Sequence, residues 1–149
     1  MPSEPAPAFE VIQPEPNFWA LGAALSYLAG KPPFSGYHLA QLVRLVERQL
    51  QTRSVVIARG SGRLVGYYGW ERKAREEVQA MAHDRGMIDR SRPLQPGPDI
   101  LWVTVAGADH PSIVRALVRA SRRLHPGLAM SGLRTLRGET NRFIPPTRT

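Results

Sequence analysis

The segment Ile100–Ala106 (ILWVTVA) is the most continuously apolar predicted strand, and it limits the possible folds more than any other feature. A strand without polar alternation is typical of the centre of a sheet that is covered on both faces. Helices must supply that cover, so the segment favours a layered α/β structure. The chain has 149 residues, which is long enough for one compact domain with a substantial core.

Two helices are predicted before the first strand. Asn17 is suited to cap a helix that runs to about Ala29 and ends at Gly30. A second helix is predicted from Leu39 to Thr52, because apolar residues recur there at intervals of three and four. That core-facing stripe consists of Leu39, Leu42, Val43, Val46 and Leu50.

The remaining elements alternate between strands and helices. A hairpin is predicted from Ser54–Arg59 and Leu64–Trp70, with a glycine-bearing turn at residues 60–63. The later elements are a polar helix, the apolar strand, an amphipathic helix and a last strand, at Ala74–Arg85, Ile100–Ala106, His110–Leu124 and Met130–Arg137. In the amphipathic helix the predicted inward residues are Ile113, Val114, Leu117 and Val118.

This order predicts a single-domain α/β (α+β) fold with a mainly antiparallel central sheet flanked by helices. It resembles the order of elements in N-acyltransferases of the acetyltransferase (GNAT) superfamily. We expect an extended, proline-rich arm at residues 1–17, the acyltransferase-like domain at 18–143 and a flexible tail at 144–149.

The apolar stretch Phe18–Gly30 is too short to span a membrane, which takes about 20 residues. A buried helix is the favoured interpretation, and interfacial membrane contact through Trp19 and Tyr27 is the alternative. The N-terminus lacks the basic region of a secretory signal, so we expect a cytoplasmic protein, with peripheral contact at the membrane face as an option.

The net charge of +8 is unevenly distributed along the chain. Residues 1–38 carry −2, whereas residues 110–149 carry +7, all of the positive charge there coming from arginine. An acidic partner is therefore expected, such as an acyl carrier protein or an anionic membrane surface, unless the basic face only aids solubility. Nucleic acid is disfavoured because no aromatic residues alternate with the arginines. The candidate partner-binding residues are Arg115, Arg119, Arg122 and Arg123.

Several kinds of chemistry find no support in the sequence. The absence of cysteine excludes thiolate metal sites and cysteine nucleophiles, and no histidine pair has metal-ligand spacing. Arg59–Gly66 has glycines but lies in a hairpin, so it is not a phosphate-binding loop. The segment Gly107–Pro111 (GADHP) lacks the glycines that would offer backbone amides to a CoA pyrophosphate. Neither a metal nor a cofactor is therefore predicted.

Three of the four histidines have an expected role at a helix end. His38 opens the second predicted helix, where an imidazole can cap the helix or act as a base. His110 is expected to cap the helix that follows it. His125 lies at a helix C-terminus, where the dipole favours a cation.

Four short segments, at particular intervals, carry a resemblance to a known family: Leu21-Gly22, Lys31-Pro32-Pro33-Phe34, Arg48–Gln51 and Val65–Glu71. They resemble the RTX-toxin-activating lysine acyltransferases of the haemolysin-activating type. In that family a Leu-Gly begins the first helix, a Ser-Pro-Leu-His loop follows, and a later strand carries Val-Ala-Tyr-x-Ser-Trp. Pro98–Trp102 more weakly resembles the family's Gly-Asp-Arg-x-Trp, and the resemblance covers about residues 20–143.

The resemblance implies transfer of a fatty acyl group from acyl carrier protein to protein lysines, with a histidine and an aspartate as the catalytic pair. The family's histidine aligns with Phe34, and the nearest histidine is His38. Asp99 keeps the Asp-x-x-Trp spacing, although alignment from the strand inward places Pro96 there instead.

Two hypotheses follow. In the first, the chain is an acyltransferase with His38 as base and Asp99 as the residue that orients it. In the second, it has kept the fold and lost catalysis, and it serves as a binding or assembly subunit for an acidic protein or a membrane complex. Phe34 is the feature that separates them.

Overall fold

The computed structural model describes residues 8–84, 100–135 and 141–147 of the chain. They form a mixed α/β structure with mainly antiparallel strand pairs and flanking helices, which confirms the predicted fold class. The elements are β1 (Glu10–Ile12), α1 (Phe18–Ala29), a 3₁₀ turn (Phe34–Gly36), α2 (Leu39–Gln51), β2 (Val55–Gly60), β3 (Arg63–Lys73), α3 (Arg75–Asp84), β4 (Ile100–Ala108), α4 (Pro111–Leu124), β5 (Ala129–Thr135) and β6 (Asn141–Thr147). The chain divides into two compact units. The first consists of Met1–Gly69 and Val105–Leu124, and the second of Trp70–Thr104 and His125–Thr149.

Helix α1 begins and ends where the sequence predicts. The Oδ1 atom of Asn17 accepts a hydrogen bond from the backbone N–H of Ala20 at 2.8 Å, which satisfies a donor of the first turn. Gly30 is the C-cap residue. No charged residue occurs in the helix, and no helix among the described residues is both long and apolar enough to cross a membrane.

Helix α2 packs through Leu42, Val46 and Leu50, as the predicted stripe requires. Leu39 differs from the prediction because it is the first residue of the helix and is 70% exposed. The packing of the helix also buries Gln49 completely, and its Oε1 atom accepts a hydrogen bond from the Tyr67 hydroxyl at 2.6 Å. This bond satisfies a buried amide that would otherwise destabilise the core.

Strands β1, β2 and β3 pair in an antiparallel arrangement within the first unit. Ile57 lies opposite Tyr67, and a register shift follows at Ala58. The hairpin closes through Ser61 and Gly62, whose φ angles are +53° and +74°. Two central residues with positive φ match the twist of antiparallel strands, which explains why a glycine is needed in this turn.

The first unit covers this sheet on both faces. Val55, Ile57 and Tyr67 belong to the same buried cluster as the inward residues of α1 and α2. Gly66 faces the opposite side, where a Cβ atom would lie 2.7 Å from Ile113 Cγ2 and 2.9 Å from Leu117 Cδ1. Glycine at this position therefore lets α4 approach the strand closely.

Helix α4 begins at Pro111, one residue later than predicted. Ile113 and Leu117 are buried as expected, and Val118 is half-buried. The prediction that Val114 points inward is wrong, because its side chain is 43% exposed. Consecutive helical residues point about 100° apart, so the residue after the buried Ile113 turns away from the sheet.

The second unit contains α3, the beginning of β4, and strands β5 and β6. Ile100–Val103 pairs in parallel with Ala129–Gly132, and β5 pairs in turn with the antiparallel strand β6. Val78, Ile100, Trp102 and Ala129 form its buried cluster. The predicted flexible tail began at residue 144, but β6 extends to Thr147 because its backbone pairs with β5.

Candidate functional site

The predicted base, His38, is exposed at the N-cap position of α2, and its side chain makes no capping hydrogen bond. It lies at an open cavity of about 410 Å³. The other residues that line this cavity are Ala40, Gln41, Arg44, Leu45 and Arg48. The imidazole is therefore accessible to a substrate, as a general base must be, and the two arginines favour an anionic ligand beside it.

Phe34 occupies the position at which the resemblance expects a histidine. It is 5% exposed and belongs to the main core cluster of the first unit. Its ring meets the ring of Tyr37 edge to face, with centroids 5.4 Å apart. The side chain therefore serves packing, and it carries no group that could move a proton.

Asp99, the predicted partner of His38, lies outside the described residues, as does Pro96. The pairing of His38 with Asp99 therefore stays a prediction.

A cluster that the sequence did not reveal forms around Asp109, in the connection between β4 and α4. The Oδ1 atom of Asp109 accepts hydrogen bonds from the Tyr27 hydroxyl and from Lys31 Nζ, both at 2.9 Å. The guanidinium of Arg63 lies 3.6 Å from Oδ2. Three donors or cations from different parts of the first unit thus converge on a single carboxylate.

These contacts shift the pKa of Asp109 and the pKa of Tyr27 in opposite directions. Burial, the largest influence, raises the pKa of Asp109, but the bonds from Lys31 and Tyr27 and the charge of Arg63 together hold that pKa below its usual value. Burial and the bond to Asp109 raise the pKa of Tyr27. The site therefore holds an ionised aspartate beside a neutral tyrosine at neutral pH.

Side chains at the start of α4 bond to the backbone N–H groups there. His110 Nδ1 accepts a hydrogen bond from the backbone N–H of Ser112 at 3.1 Å, which confirms its predicted capping role. The backbone N–H of Asp109 donates instead to the carbonyl oxygen of Val65 at 2.9 Å. A helix N-terminus binds phosphate through free N–H groups. At the start of α4 the N–H of Ser112 is already bonded, and the negative carboxylate of Asp109 lies beside it.

The four arginines predicted to bind a partner are all exposed on α4. They lie opposite its buried residues Ile113, Leu117 and Ser121, and the helix contains no acidic residue. Arg122 also acts on Tyr68: burial raises the pKa of Tyr68 to about 12, and the nearby positive charge of Arg122 opposes that rise. The outward face of α4 is therefore a strip of positive charge, called here the arginine face (Arg115, Arg119, Arg122 and Arg123).

The expectation that His125 is a cation at the end of α4 is not met. Burial and the charge of Arg72 lower the pKa of His125, which favours the neutral ring. The ring contacts Trp70 edge to face, with centroids 5.6 Å apart.

Among the residues that the structure describes, no three histidine or carboxylate side chains lie close enough to hold a metal ion.

Neither a protein-family model nor a curated protein matches the chain. Solved structures do match. A polyamine N-acetyltransferase of Drosophila melanogaster, an enzyme that forms N-acetylagmatine, has a TM-score of 0.57 and 15% identity, over 87% of this chain and 77% of that one. An apo agmatine N-acetyltransferase variant has a TM-score of 0.55 and 15% identity, over 86% and 76%. A GNAT-family acetyltransferase of Streptococcus agalactiae has a TM-score of 0.52 and 10% identity, over 87% and 78%.

These likenesses concern the fold, because all three identities are 15% or lower. The expected relation to acetyltransferases is confirmed at that level, whereas the resemblance to toxin-activating enzymes stays a prediction. The chain has the fold of the GNAT acetyltransferases.

Proposed function

We propose that the chain is a cytoplasmic N-acyltransferase that takes its acyl group from a carrier protein and transfers it to a lysine amine. The observation that carries this proposal is the contrast between the two parts of α4. Its N-terminus is closed by the His110 cap and the Asp109 carboxylate, which disfavours a CoA pyrophosphate. Its outward side, the arginine face, is exposed and positively charged, which suits an acidic partner.

In the proposed reaction the amine of an acceptor lysine attacks the carbonyl carbon of the acyl thioester. A C–N bond forms, the C–S bond breaks, and the carrier leaves with a free thiol. The attacking amine must first lose a proton, and His38 is the accessible base among the described residues that best fits this role. Asp99 is the residue proposed to orient its imidazole.

The resemblance to RTX-toxin-activating enzymes supports the same donor and acceptor classes. Acyl carrier proteins are acidic, so charge complementarity with the arginine face would guide the encounter. The cluster of Tyr27, Lys31 and Asp109 would hold the beginning of α4, and with it the arginine face, in place. The amine acetyltransferase activities of two of the similar structures are also N-acyl transfers.

A second candidate function rests on Phe34. Its burial in the core means that the chain lacks a proton-transfer group at the position where the related family has its histidine. In this alternative the protein binds the carrier, or another acidic protein, through the arginine face without catalysing transfer.

Incubation with acyl carrier protein that bears a labelled acyl chain, together with a lysine-containing peptide, tests the two candidates. We expect labelled peptide and an equal amount of free carrier thiol. The variant His38→Ala should lose most of this transfer and still bind the carrier. Binding without transfer in the wild-type protein would favour the non-catalytic candidate.

The arginine face is tested separately by the double variant Arg115→Glu/Arg119→Glu. It should weaken carrier binding at least tenfold at low salt, as measured by titration calorimetry. The matched control is the double variant Arg72→Glu/Arg75→Glu, which makes the same charge change at the end of β3 and the start of α3. An equal loss in both variants would contradict docking on α4.

A further inference from the structure

The first turn of α1 exposes two adjacent aromatic side chains, Phe18 and Trp19, called here the aromatic tip. Phe18 is 92% exposed and Trp19 is 53% exposed. Scattered single exposed apolar residues are ordinary, whereas two consecutive exposed aromatic residues at the start of one helix form a candidate contact surface. The tip borders an open cavity of about 360 Å³ that is lined on the α2 side by Glu47, Leu50 and Gln51.

The rest of α1 would not oppose contact with an apolar phase. The helix contains no charged residue along its twelve positions, and its exposed residues beyond the tip are Gly22, Ser26 and Ala29. The helix can therefore approach the boundary between water and lipid without stripping water from a charge. Tyr27 does not take part, because its hydroxyl donates to Asp109.

Arginine lies beside the tip in the arrangement that a bilayer interface favours. The Arg59 guanidinium carbon lies 5.8 Å from the centroid of the Trp19 ring. Tryptophan prefers the level of the lipid headgroups, where a neighbouring guanidinium can reach the phosphates. Arg59 also pairs with Glu10, and Arg53 pairs with Glu15 at 3.2 Å, so these two arginines add no net positive charge beside the tip.

The size of the tip argues against a protein partner. Two aromatic side chains at these exposures present about 300 Å². A stable interface buries about 800 Å² on each partner, and a second copy of this chain would need a matching pocket for the protruding Phe18. A lipid surface needs no such pocket.

We propose that the aromatic tip of α1 inserts shallowly into the interface of a lipid bilayer and holds the protein at the membrane surface. Because Arg59 and Arg53 are paired with glutamates and Glu47 adds a negative charge at the adjoining cavity, insertion depends mainly on the two aromatic rings and not on attraction to anionic lipid. This inference does not depend on the proposed acyl transfer, and the experiment that tests it measures no activity.

The probe is a set of vesicles of phosphatidylcholine with three-tenths phosphatidylglycerol, added to the full chain. Trp70 and Trp102 are 1% and 6% exposed, so a change in tryptophan emission reports mainly on Trp19. We expect a blue shift, weaker quenching by acrylamide, and sedimentation of the protein with the vesicles. Unchanged emission and no sedimentation would overturn the proposal.

Variants locate the contact. Phe18→Ser and Trp19→Ser should each lower the fraction bound to vesicles several-fold, and the double variant should abolish binding. Val114→Ser is the matched control, because Val114 is an exposed apolar residue on α4 and its replacement should leave binding unchanged. An equal loss for Val114→Ser would contradict the proposal. So would a blue shift that grows with protein concentration without vesicles, which would assign the tip to a second copy of the chain.

Discussion

Lys31 and Asp109 form an ion pair across 78 positions of the sequence, with Lys31 Nζ 2.9 Å from Asp109 Oδ1. The pair joins the end of α1 to the connection that leads into α4. Tyr27 strengthens it, since its hydroxyl donates to the same oxygen and its ring centroid lies 5.1 Å from Lys31 Nζ. The beginning of α4 is thus fixed by contacts within the protein.

Replacement of Asp109 by asparagine should destabilise the protein by about 1 kcal/mol, because it removes the charge from a partly exposed pair and keeps the side-chain shape. Denaturant unfolding measures the change. Glu15→Gln is the control, since its pair with Arg53 is more exposed and should contribute less than about 0.5 kcal/mol. A larger loss for Glu15→Gln than for Asp109→Asn would contradict the assigned importance of the cluster.

The same aspartate predicts a dependence of stability on pH. Its pKa in the folded protein is held below the unfolded value, so the unfolded state takes up the proton first on acidification. The contribution of Asp109 is complete above the unfolded value of about 3.9 and is lost as the pH falls through the folded value. The difference in unfolding free energy between the wild type and Asp109→Asn should therefore shrink between about pH 5 and about pH 3. A difference that is constant over this range would show that the carboxylate charge does not stabilise the fold.

His125 should titrate below its ordinary range in an NMR experiment, because burial and the charge of Arg72 disfavour the imidazolium. The variant Arg72→Gln should raise the pKa of His125 part of the way back, since the burial remains. Lys73→Gln should leave it unchanged, because the ammonium of Lys73 already pairs with Glu71 at 3.3 Å. If Arg72→Gln left the titration of His125 unmoved, the charge of Arg72 would not be the cause.

Gly69 should not tolerate a side chain, because a Cβ atom there would lie 2.2 Å from the buried Gln49 Oε1 atom. Gly69→Ala should cost about 1–3 kcal/mol through displacement of the amide that Tyr67 hydrogen-bonds. Gly22→Ala is the control, since it lies within α1 with nothing within 4 Å of its Cβ position. It should stabilise the protein by about 0.5–1 kcal/mol. Equal effects of the two substitutions on thermal unfolding would contradict this packing.

The sequence predicts those parts of the fold that depend on local chemistry. The Asn17 cap, the Gly62 turn and the His110 cap each follow from residues within three positions of one another. Helical periodicity likewise identifies Ile113 and Leu117 as buried. The last strand, β6, was not predicted, because its two prolines indicate a loop, whereas a strand that pairs with β5 along one side tolerates them.

The candidate site was predictable only in part. His38 and the arginine face were proposed from residue type and helical position, and the structure leaves them exposed, as the proposed roles require. The Asp109 cluster could not be found, because Tyr27 and Lys31 carry no local sign of a carboxylate about eighty positions away. The burial of Gln49 was missed for the same reason, since its partner Tyr67 lies on another element.

In the proposed function the acyl donor is a carrier protein and not CoA. The most direct measurement compares initial rates of transfer to one lysine peptide from acyl carrier protein and from acyl-CoA that bear the same labelled chain. We expect transfer from the carrier, at least tenfold slower in His38→Ala, and none above background from acyl-CoA. Equal or faster transfer from acyl-CoA would contradict it.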